Sequence, residues 1–220
     1  YRAQRFPLHA AADRGHDVVG FCRSGVVGGF GGKIITWSLG TLPTYATVQS
    51  ADCAVHLAHD FDGEAGARLT RDATLALVAE LRAAGVARQV FYSSYSAGSH
   101  ATSLYGQTKH KIEQALRDDA DMVIVRPGLV IGDGGIYARI ARWARTLPVI
   151  PLPDGGSGRV PVIDIDRLCE ETLAILEGAR PVREANLFET PTKSLRSLVL
   201  DAAAQVHPSP WILTVPSLFV

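Results

Sequence analysis

The stretch that decides the fold is Gln89–Lys109, which reads QVFYSSYSAGSHATSLYGQTK. It begins with an apolar run ending at Ser93 and Ser94, crosses a short polar loop, and enters a predicted helix that carries Tyr105 and Lys109. Residues at this spacing share one face of a helix about one turn apart, so the two side chains should be neighbours. A nearby ammonium lowers the pKa of a phenol, which can then exchange protons near neutral pH. With a serine beside it, the stretch predicts proton transfer at an alcohol or carbonyl.

Ser94 followed by Tyr105-x-x-x-Lys109 resembles the catalytic set of the short-chain dehydrogenase/reductase superfamily. The segment DCAVHLA at 52–58 is similar to a VVHLA strand of that superfamily, and VIVRPGLVIGDGG at 123–135 is similar to its RPGxVYGPG segment. A Tyr-Lys pair alone is a weak signal, so the order of the matches carries the resemblance. The chain resembles the extended or atypical branch, which is the NAD-dependent epimerase/dehydratase family.

This resemblance implies an α/β fold, a Rossmann-type doubly wound parallel sheet with a small C-terminal substrate lobe. Residues 1–132 would form the NAD(P)-binding Rossmann domain, and 133–220 a mixed segment with the substrate lobe and returning Rossmann elements. The end of the chain, with Asn186-Leu187 and a helix at 195–205, resembles the small lobe. The other expected elements are a helix at 6–14, a buried strand at 17–22, strands at 33–37 and 52–58, a helix at 65–84 capped by Gly85, a strand at 121–126, and helices at 136–147 and 167–177.

The family's first strand and its Gly-x-x-Gly-x-x-Gly turn, which holds the cofactor pyrophosphate, are missing from the sequence. Aligned backwards from Gly15, the last glycine of that turn falls near Gln4, and the rest falls before Tyr1. Either the given chain lacks its true N-terminus or the protein has lost its dinucleotide site. The first is favoured, because a Rossmann sheet without its first strand would leave a large apolar gap. The glycines of Gly28–Lys33 do not fit a phosphate loop and predict a flexible connection.

The resemblance implies a nicotinamide cofactor, with NADP favoured over NAD. Arg23 follows the second strand where NAD-binding members carry an acid, and a guanidinium can pair with a 2′-phosphate. A solvated loop arginine is the alternative. His56 is expected to be a packed strand residue. The implied cofactor-binding residues are Arg23, Ser24, Leu57, Ala58, His59, Tyr105, Lys109, Pro127, Gly128 and Val130.

The resemblance also assigns roles at the reacting end. Tyr105 would be the general acid/base, Lys109 would lower its pKa and hold the nicotinamide ribose, and Ser94 would orient the substrate oxygen. The residues expected to bind substrate are Tyr95, Ser96 and Arg159.

Arg159 lies seven residues before Asp166, where nucleotide-sugar members carry an arginine for the diphosphate. The alternative, that Arg159 is a surface residue without a role in binding, is equally open. Asp166 is expected to cap the helix that follows it, and Pro151–Arg159 is expected to be a mobile turn.

Composition sets outer bounds on the function. Lysine plus arginine balance aspartate plus glutamate at 22 each, which gives no support for a nucleic-acid partner or an anionic membrane surface. The three cysteines are widely spaced and predict reduced core residues of a cytoplasmic protein, with no metal site. No apolar run reaches the ~20 residues needed to span a bilayer, and the first residues do not read as a signal peptide. A homodimer is a candidate assembly.

Three functions remain open at this point. The first is an NAD(P)-dependent oxidoreductase or epimerase/dehydratase that transfers hydride at an alcohol or carbonyl carbon, with a nucleotide sugar among the candidate substrates. The second is a non-catalytic NADP-binding sensor or regulator on the same scaffold. Departures from the family pattern at Gln4, Ser38 and Thr70 favour it mildly, whereas the intact Ser94, Tyr105 and Lys109 oppose it. The third is a structural or interaction protein, if the glycine turn is truly absent.

Overall fold

The computed structural model describes residues 7–43, 48, 50–204 and 210–216. The elements in chain order are α1 (Pro7–Asp13), β1 (Val19–Cys22), β2 (Lys33–Thr36), β3 (Cys53–His56), α2 (Gly63–Ala83), β4 (Arg88–Tyr92), α3 (Leu104–Leu116), β5 (Met122–Pro127), β6 (Leu129–Ile131), α4 (Gly135–Thr146), β7 (Val149–Pro153), a 3₁₀ turn (Asp154–Gly156), β8 (Arg159–Val160), β9 (Val162–Asp164), α5 (Ile165–Leu176), β10 (Glu184–Leu187), β11 (Lys193–Ser194), α6 (Leu195–Ala203) and β12 (Trp211–Val215). The described residues form two units. The larger unit runs to Pro127 and adds Leu168–Leu187, and the smaller unit holds Gly128–Arg167 and the described residues from Phe188 onward.

The larger unit is built on a parallel four-stranded sheet in the order β10-β5-β4-β3. Val90 of β4 lies opposite Val55 of β3 on one side and Val123 of β5 on the other. The central strands are almost continuously apolar and buried, as expected for parallel strands covered on both faces. The predicted α/β class with a parallel sheet is confirmed.

Two helices pack together over this sheet. A core cluster joins α2, β4, α3 and β5, and it consists of Val78, Phe91, Ile112, Leu116, Met122 and Ile124. Burial of each large side chain of this kind contributes about 1.5–3 kcal/mol. α3 begins at Ser103, whose hydroxyl accepts a hydrogen bond from the Gly106 N–H at 3.1 Å. The cap and the core contacts together fix the face of α3 that carries Tyr105 and Lys109.

The end of α2 is a Schellman cap, as predicted from Gly85. The Val86 N–H donates to the Leu81 carbonyl at 3.0 Å, and the Gly85 N–H donates to the Arg82 carbonyl at 2.9 Å. Gly85 has φ +89°, which a residue without Cβ adopts at little cost. The chain is thereby turned directly into β4.

Arg126 of β5 forms a buried ion pair with α3 and an exposed one with β10. Arg126 of β5 donates to both carboxylate oxygens of Glu113 on α3 at 2.7 Å, and to Glu184 of β10 at 2.8 Å. Glu113 is almost fully buried. Asn186 and Leu187 lie in β10, so the prediction that placed them in the small lobe is wrong. Both residues pair with the edge of β5.

β1 and β2 pair in parallel, and β1 is half-buried along its whole length. The prediction of a fully buried strand is therefore wrong. Within the part of the chain that the structure describes, β1 pairs with β2 alone, so it lacks the second neighbour that would cover it. Phe21 of β1 packs against Leu81 and Val86.

The smaller unit contains three strand pairs, β6–β9 and β7–β12 in parallel and β8–β11 antiparallel. α4 and α6 pack with β7 around a cluster that includes Ala141, Ala144, Ile150, Leu152 and Val199. The turn predicted at Pro151–Arg159 is wrong at its start. The alternating burial of Ile150 and Leu152 makes this segment a strand, and the turn begins at Asp154.

The cap of α5 also differs from the expectation. Asp164, not Asp166, precedes the first helical residue, and its Oδ1 accepts a hydrogen bond from the Asp166 N–H at 2.8 Å. Asp166 instead places a negative charge in the first turn, where the helix dipole favours it.

Cys169 is buried, whereas Cys22 and Cys53 are only half-buried, and none of the three forms a disulfide among the described residues. The helices within the described residues include none with the combined length and apolar character needed to cross a membrane.

Candidate active site

The residues expected to react lie where β3 and β4 end and where α3 begins, all in the larger unit. The carboxyl ends of neighbouring parallel strands meet at one edge of a sheet, and ligands of open α/β folds bind at this edge. The loop after β3 supplies Leu57, Ala58 and His59. The loop after β4 supplies Ser93 to Ser96, and α3 supplies Tyr105 and Lys109.

Lys109 is a buried ammonium near the carboxyl edge of the sheet, with 2% of its surface exposed. Its Nζ donates to the Tyr92 carbonyl at 2.7 Å and lies 4.7 Å from the Phe91 ring centroid. The centroid of the Tyr105 ring is 5.7 Å away, so the spacing brings the two side chains together as expected. Burial lowers the pKa of Lys109 to about 8, although the Glu113 carboxylate opposes this shift.

The pKa of the Tyr105 phenol is raised from its ordinary value because the ring is partly buried. The expectation of a lowered pKa is therefore wrong for the protein alone. The Lys109 ammonium is directed at the Tyr92 carbonyl, and it does not offset the loss of solvent around Tyr105. Tyr105 is protonated at neutral pH in this state.

Two aromatic side chains from the loop after β3 pack on Tyr105. The His59 ring meets it edge-on at 4.7 Å between centroids, and the Phe61 ring stacks nearly parallel to it at 5.8 Å and 15°. His59 and Phe61 also touch each other at 4.5 Å. Phe61 was missed by the sequence prediction, although an aromatic residue shortly after a strand end was a signal that could have found it.

One ring nitrogen of His59, Nδ1, is buried without a hydrogen bond among the described residues. Burial and the nearby Lys109 charge lower its pKa to about 4, against a smaller opposing effect of Asp60, so the imidazole is neutral at pH 7. By contrast, the buried His56 is paired with Gln89 at 2.8 Å, which confirms its prediction as a packed strand residue.

The serines after β4 differ in their partners. The Ser94 and Ser96 hydroxyls are 2.8 Å apart, and the Ser96 N–H donates to Ser94 Oγ at 3.1 Å. The Ser93 hydroxyl is buried and unpartnered within the described chain. Tyr95 is half exposed, and its N–H donates to the Pro127 carbonyl at 3.0 Å. The loop thus presents the half-buried hydroxyl of Ser94 and the exposed hydroxyl of Ser96, and it leaves the buried Ser93 hydroxyl without a partner among the described residues.

Arg23 lies near an acid that the sequence did not reveal. Its Nη1 is 4.0 Å from Oδ2 of Asp60, and the side chain is largely exposed. The premise that Arg23 has no neighbouring acid is therefore wrong. Ser24 donates its hydroxyl to the Val26 carbonyl at 2.8 Å, within its own turn. Thr70, where the family carries asparagine, is fully buried and accepts a hydrogen bond from the Asp60 N–H at 2.9 Å.

The remaining predicted residues belong to the smaller unit or its border. Pro127 ends β5, whereas Gly128, Val130 and Arg159 lie in the smaller unit. A Cβ on Gly128 would come within 2.5 Å of the Pro161 carbonyl oxygen. The close approach of the two backbone segments therefore requires glycine at this position. Arg159 is exposed, and its Nε donates to Thr192 Oγ1 at 2.9 Å.

No protein-family model and no curated protein matches this sequence. Solved structures do match it. MoeE5 in complex with UDP-glucose and NAD is 19% identical, with a TM-score of 0.78 over 96% of this chain and 80% of that one. The NAD-dependent NDP-hexosamine 5,6-dehydratase TunA is 18% identical, with a TM-score of 0.77 over 96% and 80%. The UDP-glucose 4-epimerase of Thermotoga maritima is 14% identical, with a TM-score of 0.76 over 96% and 82%.

At these identities the likeness establishes the fold. The chain has the Rossmann-type α/β fold of nucleotide-sugar epimerases and dehydratases, which confirms the fold class that the resemblance implied. The neighbours are also the kind of protein that the resemblance named.

Proposed function

We propose that this protein is an NAD(P)-dependent oxidoreductase or epimerase/dehydratase that transfers hydride at an alcohol or carbonyl carbon. The observation that carries this proposal is the Tyr105–Lys109 pair at the carboxyl edge of the sheet, on a fold shared with NAD-dependent enzymes. The shared fold supports a nucleotide sugar as the candidate substrate, since MoeE5 holds UDP-glucose together with NAD.

The residues at this edge fit the nicotinamide end of a dinucleotide. Ser93 Oγ and His59 Nδ1 are buried polar atoms without partners among the described residues, and a bound polar ring could satisfy them. Lys109 would hold the ribose, and Leu57 and Ala58 would border the ring. The glycine turn for the pyrophosphate would precede Pro7, outside the described residues. When bound, the nicotinamide supplies the hydride donor or acceptor.

In the proposed chemistry, Tyr105 holds the proton that the substrate oxygen gains or loses. Because burial keeps the phenol protonated, Tyr105 is ready to act as the acid toward a carbonyl. Lys109 keeps a positive charge behind the phenol, which stabilises the phenolate whenever Tyr105 must act as the base. Ser94, steadied by Ser96, orients the oxygen with a hydrogen bond.

The preference of NADP over NAD is a finer proposal. Arg23 supports it, since a guanidinium can pair with the 2′-phosphate, whereas Asp60 opposes it by offering an acid near the same place. One charge-assisted hydrogen bond contributes about 1.5–3 kcal/mol, so NADPH should bind roughly tenfold or more tightly than NADH. Equal dissociation constants for the two cofactors would reject the preference and leave the hydride-transfer proposal intact.

The decisive experiment measures cofactor binding and turnover on the full chain. Calorimetric titration with NADH and NADPH comes first, followed by assays of UDP-glucose conversion and of cofactor oxidation or reduction. Tyr105→Phe is the matched variant, because it removes one hydroxyl and should keep cofactor binding. Turnover that falls about 10²–10⁴-fold in Tyr105→Phe supports the proposal. A folded protein that binds neither dinucleotide contradicts it.

A non-catalytic NADP-binding sensor is the second candidate. It is favoured by the raised pKa of Tyr105 and by the Lys109 hydrogen bond to the Tyr92 carbonyl, which leave the pair unactivated in the protein alone. NADPH binding without turnover of any tested alcohol or nucleotide sugar would support this candidate. Any turnover that depends on Tyr105 would exclude it.

A further inference from the structure

Phe61 is the most exposed aromatic side chain at the candidate active site. It retains 78% of its surface, although an aromatic side chain gains by burial. One face lies toward Tyr105 in a near-parallel stack, and its edge touches His59. Most of its remaining surface faces solvent directly beside the predicted proton carrier.

Two further exposed residues at this edge have large apolar surfaces. Leu57 follows β3 and is 43% exposed, and Tyr95 follows β4 and is 50% exposed. His59 is neutral at pH 7, and the Lys109 ammonium is almost fully buried. The surface next to Tyr105 thus offers flat apolar contact, bordered by the exposed Ser96 and by the carboxylates of Asp60 and Asp62.

We propose that Phe61 is a specificity-determining residue that takes the apolar face of a six-membered ring next to the reacting carbon of the substrate. The inference rests on the proposed function, because it places that carbon at Tyr105. Flat rings pack on phenyl groups through apolar contact. The ligand therefore needs only a ring whose face is made of C–H groups or of π electrons. Two sources offer it: the C–H face of a hexose and an aryl group.

The contacts with Tyr105 and His59 hold the Phe61 side chain in place. A phenyl group held against Tyr105 and His59 has lost part of its rotational freedom, so a ring that packs on its exposed surface beside Tyr105 loses less entropy on ordering.

The test compares two ring-bearing probes on the full chain in the presence of saturating cofactor. UDP-glucose supplies the hexose source, and 1-phenylethanol supplies the aryl source. The dissociation constant is measured by calorimetry, and saturation-transfer NMR from aromatic protons of the protein to the ring protons of the probe reports the contact itself. Phe61→Ala should weaken binding of the accepted probe about tenfold, with a smaller effect on kcat. Phe61→Trp should restore most of the binding, since it keeps a flat ring.

Trp211→Ala is the matched control. Trp211 is as exposed as Phe61, at 79%, but lies on β12 of the smaller unit. It should leave the binding of both probes unchanged, which shows that the loss in Phe61→Ala is not a general effect of removing an exposed aromatic residue.

The outcomes separate this inference from the proposed function. If a probe is turned over through Tyr105 and Phe61→Ala binds it as well as the wild-type protein does, the inference is overturned and the proposed function stands. If Phe61→Ala loses binding but no variant turns over either probe, the ring site stands and the proposed activity falls. If neither probe binds the wild-type protein, the inference is rejected.

Discussion

Replacing Lys109 by methionine should make the protein more stable at neutral pH while removing its proposed activity. Lys109 is 2% exposed, and burial lowers its pKa from 10.5 to about 8. At pH 7 the ammonium is charged in both the folded and the unfolded chain. The lowering of the pKa from 10.5 to about 8 therefore means that burying the charge costs about 3 kcal/mol of folding free energy. Methionine has a similar length and carries no charge.

The substitution also removes a hydrogen bond. The Tyr92 carbonyl loses the donor that lies 2.7 Å away, which costs about 1–3 kcal/mol for a buried acceptor. At pH 7 the free energy of unfolding of Lys109→Met should therefore exceed that of the wild-type protein by about 0–2 kcal/mol. The sign of the pH dependence follows from the lowered pKa. Between pH 8 and 10.5 the unfolded chain binds more protons than the folded one, so wild-type stability rises with pH in this window.

Urea unfolding of the wild-type and Lys109→Met proteins at pH 7 and pH 9.5 measures this difference. Other groups titrate equally in both proteins, so the change in their stability difference isolates Lys109. From pH 7 to pH 9.5, the free energy of unfolding of the wild-type protein should rise by about 2 kcal/mol relative to that of Lys109→Met. A stability difference that stays constant with pH would refute the lowered pKa. In parallel, the variant should bind the nicotinamide cofactor more weakly, and any residual activity should shift to higher pH.

The remaining predictions concern chemistry and packing. Tyr105→Phe should reduce kcat about 10²–10⁴-fold, and Ser94→Ala should reduce it less, as measured by steady-state kinetics; near-wild-type turnover in Tyr105→Phe would place the chemistry elsewhere. Arg159→Ala should raise KM for UDP-glucose far more than it changes kcat; an unchanged KM would remove the diphosphate role. Glu113→Gln should lower stability by about 3 kcal/mol in urea unfolding, because it leaves the Arg126 guanidinium without its buried carboxylate; a loss below about 1 kcal/mol would contradict the contribution of this pair.

The parts of the fold that the sequence predicted are those encoded by local patterns. The apolar runs of β4 and β5, the helix face with Tyr105 and Lys109, and the glycine that ends α2 each follow from a short stretch of sequence. Such signals depend on neighbours within a few residues, and the structure agrees with them. The division of the chain at residue 132 and the roles of the site residues stay predictions.

The errors arose where a residue's environment is set by distant parts of the chain. The segment at 151–153 is a strand because β12, about sixty residues later, pairs with it. The acid near Arg23 follows another strand, and its sequence neighbours gave no sign of it. Burial of the ring raises the pKa of Tyr105, and the Tyr92 carbonyl holds the Lys109 ammonium; both effects arise from tertiary packing. Spacing on a helix indicates that two side chains are close, but it does not indicate which partner each prefers.

The late arrival of β10 in the central sheet has a consequence for synthesis on the ribosome. Ile124 of β5 pairs with Glu184, which is synthesised sixty residues later. At about 5–20 residues per second, β5 would expose an apolar, unpaired edge for about 3–12 seconds as the nascent chain emerges. An open edge of this kind can pair with other chains and aggregate. Chaperones that shield nascent chains should therefore matter most for this protein between the emergence of β5 and that of β10, and chains ended before Glu184 should accumulate in inclusion bodies.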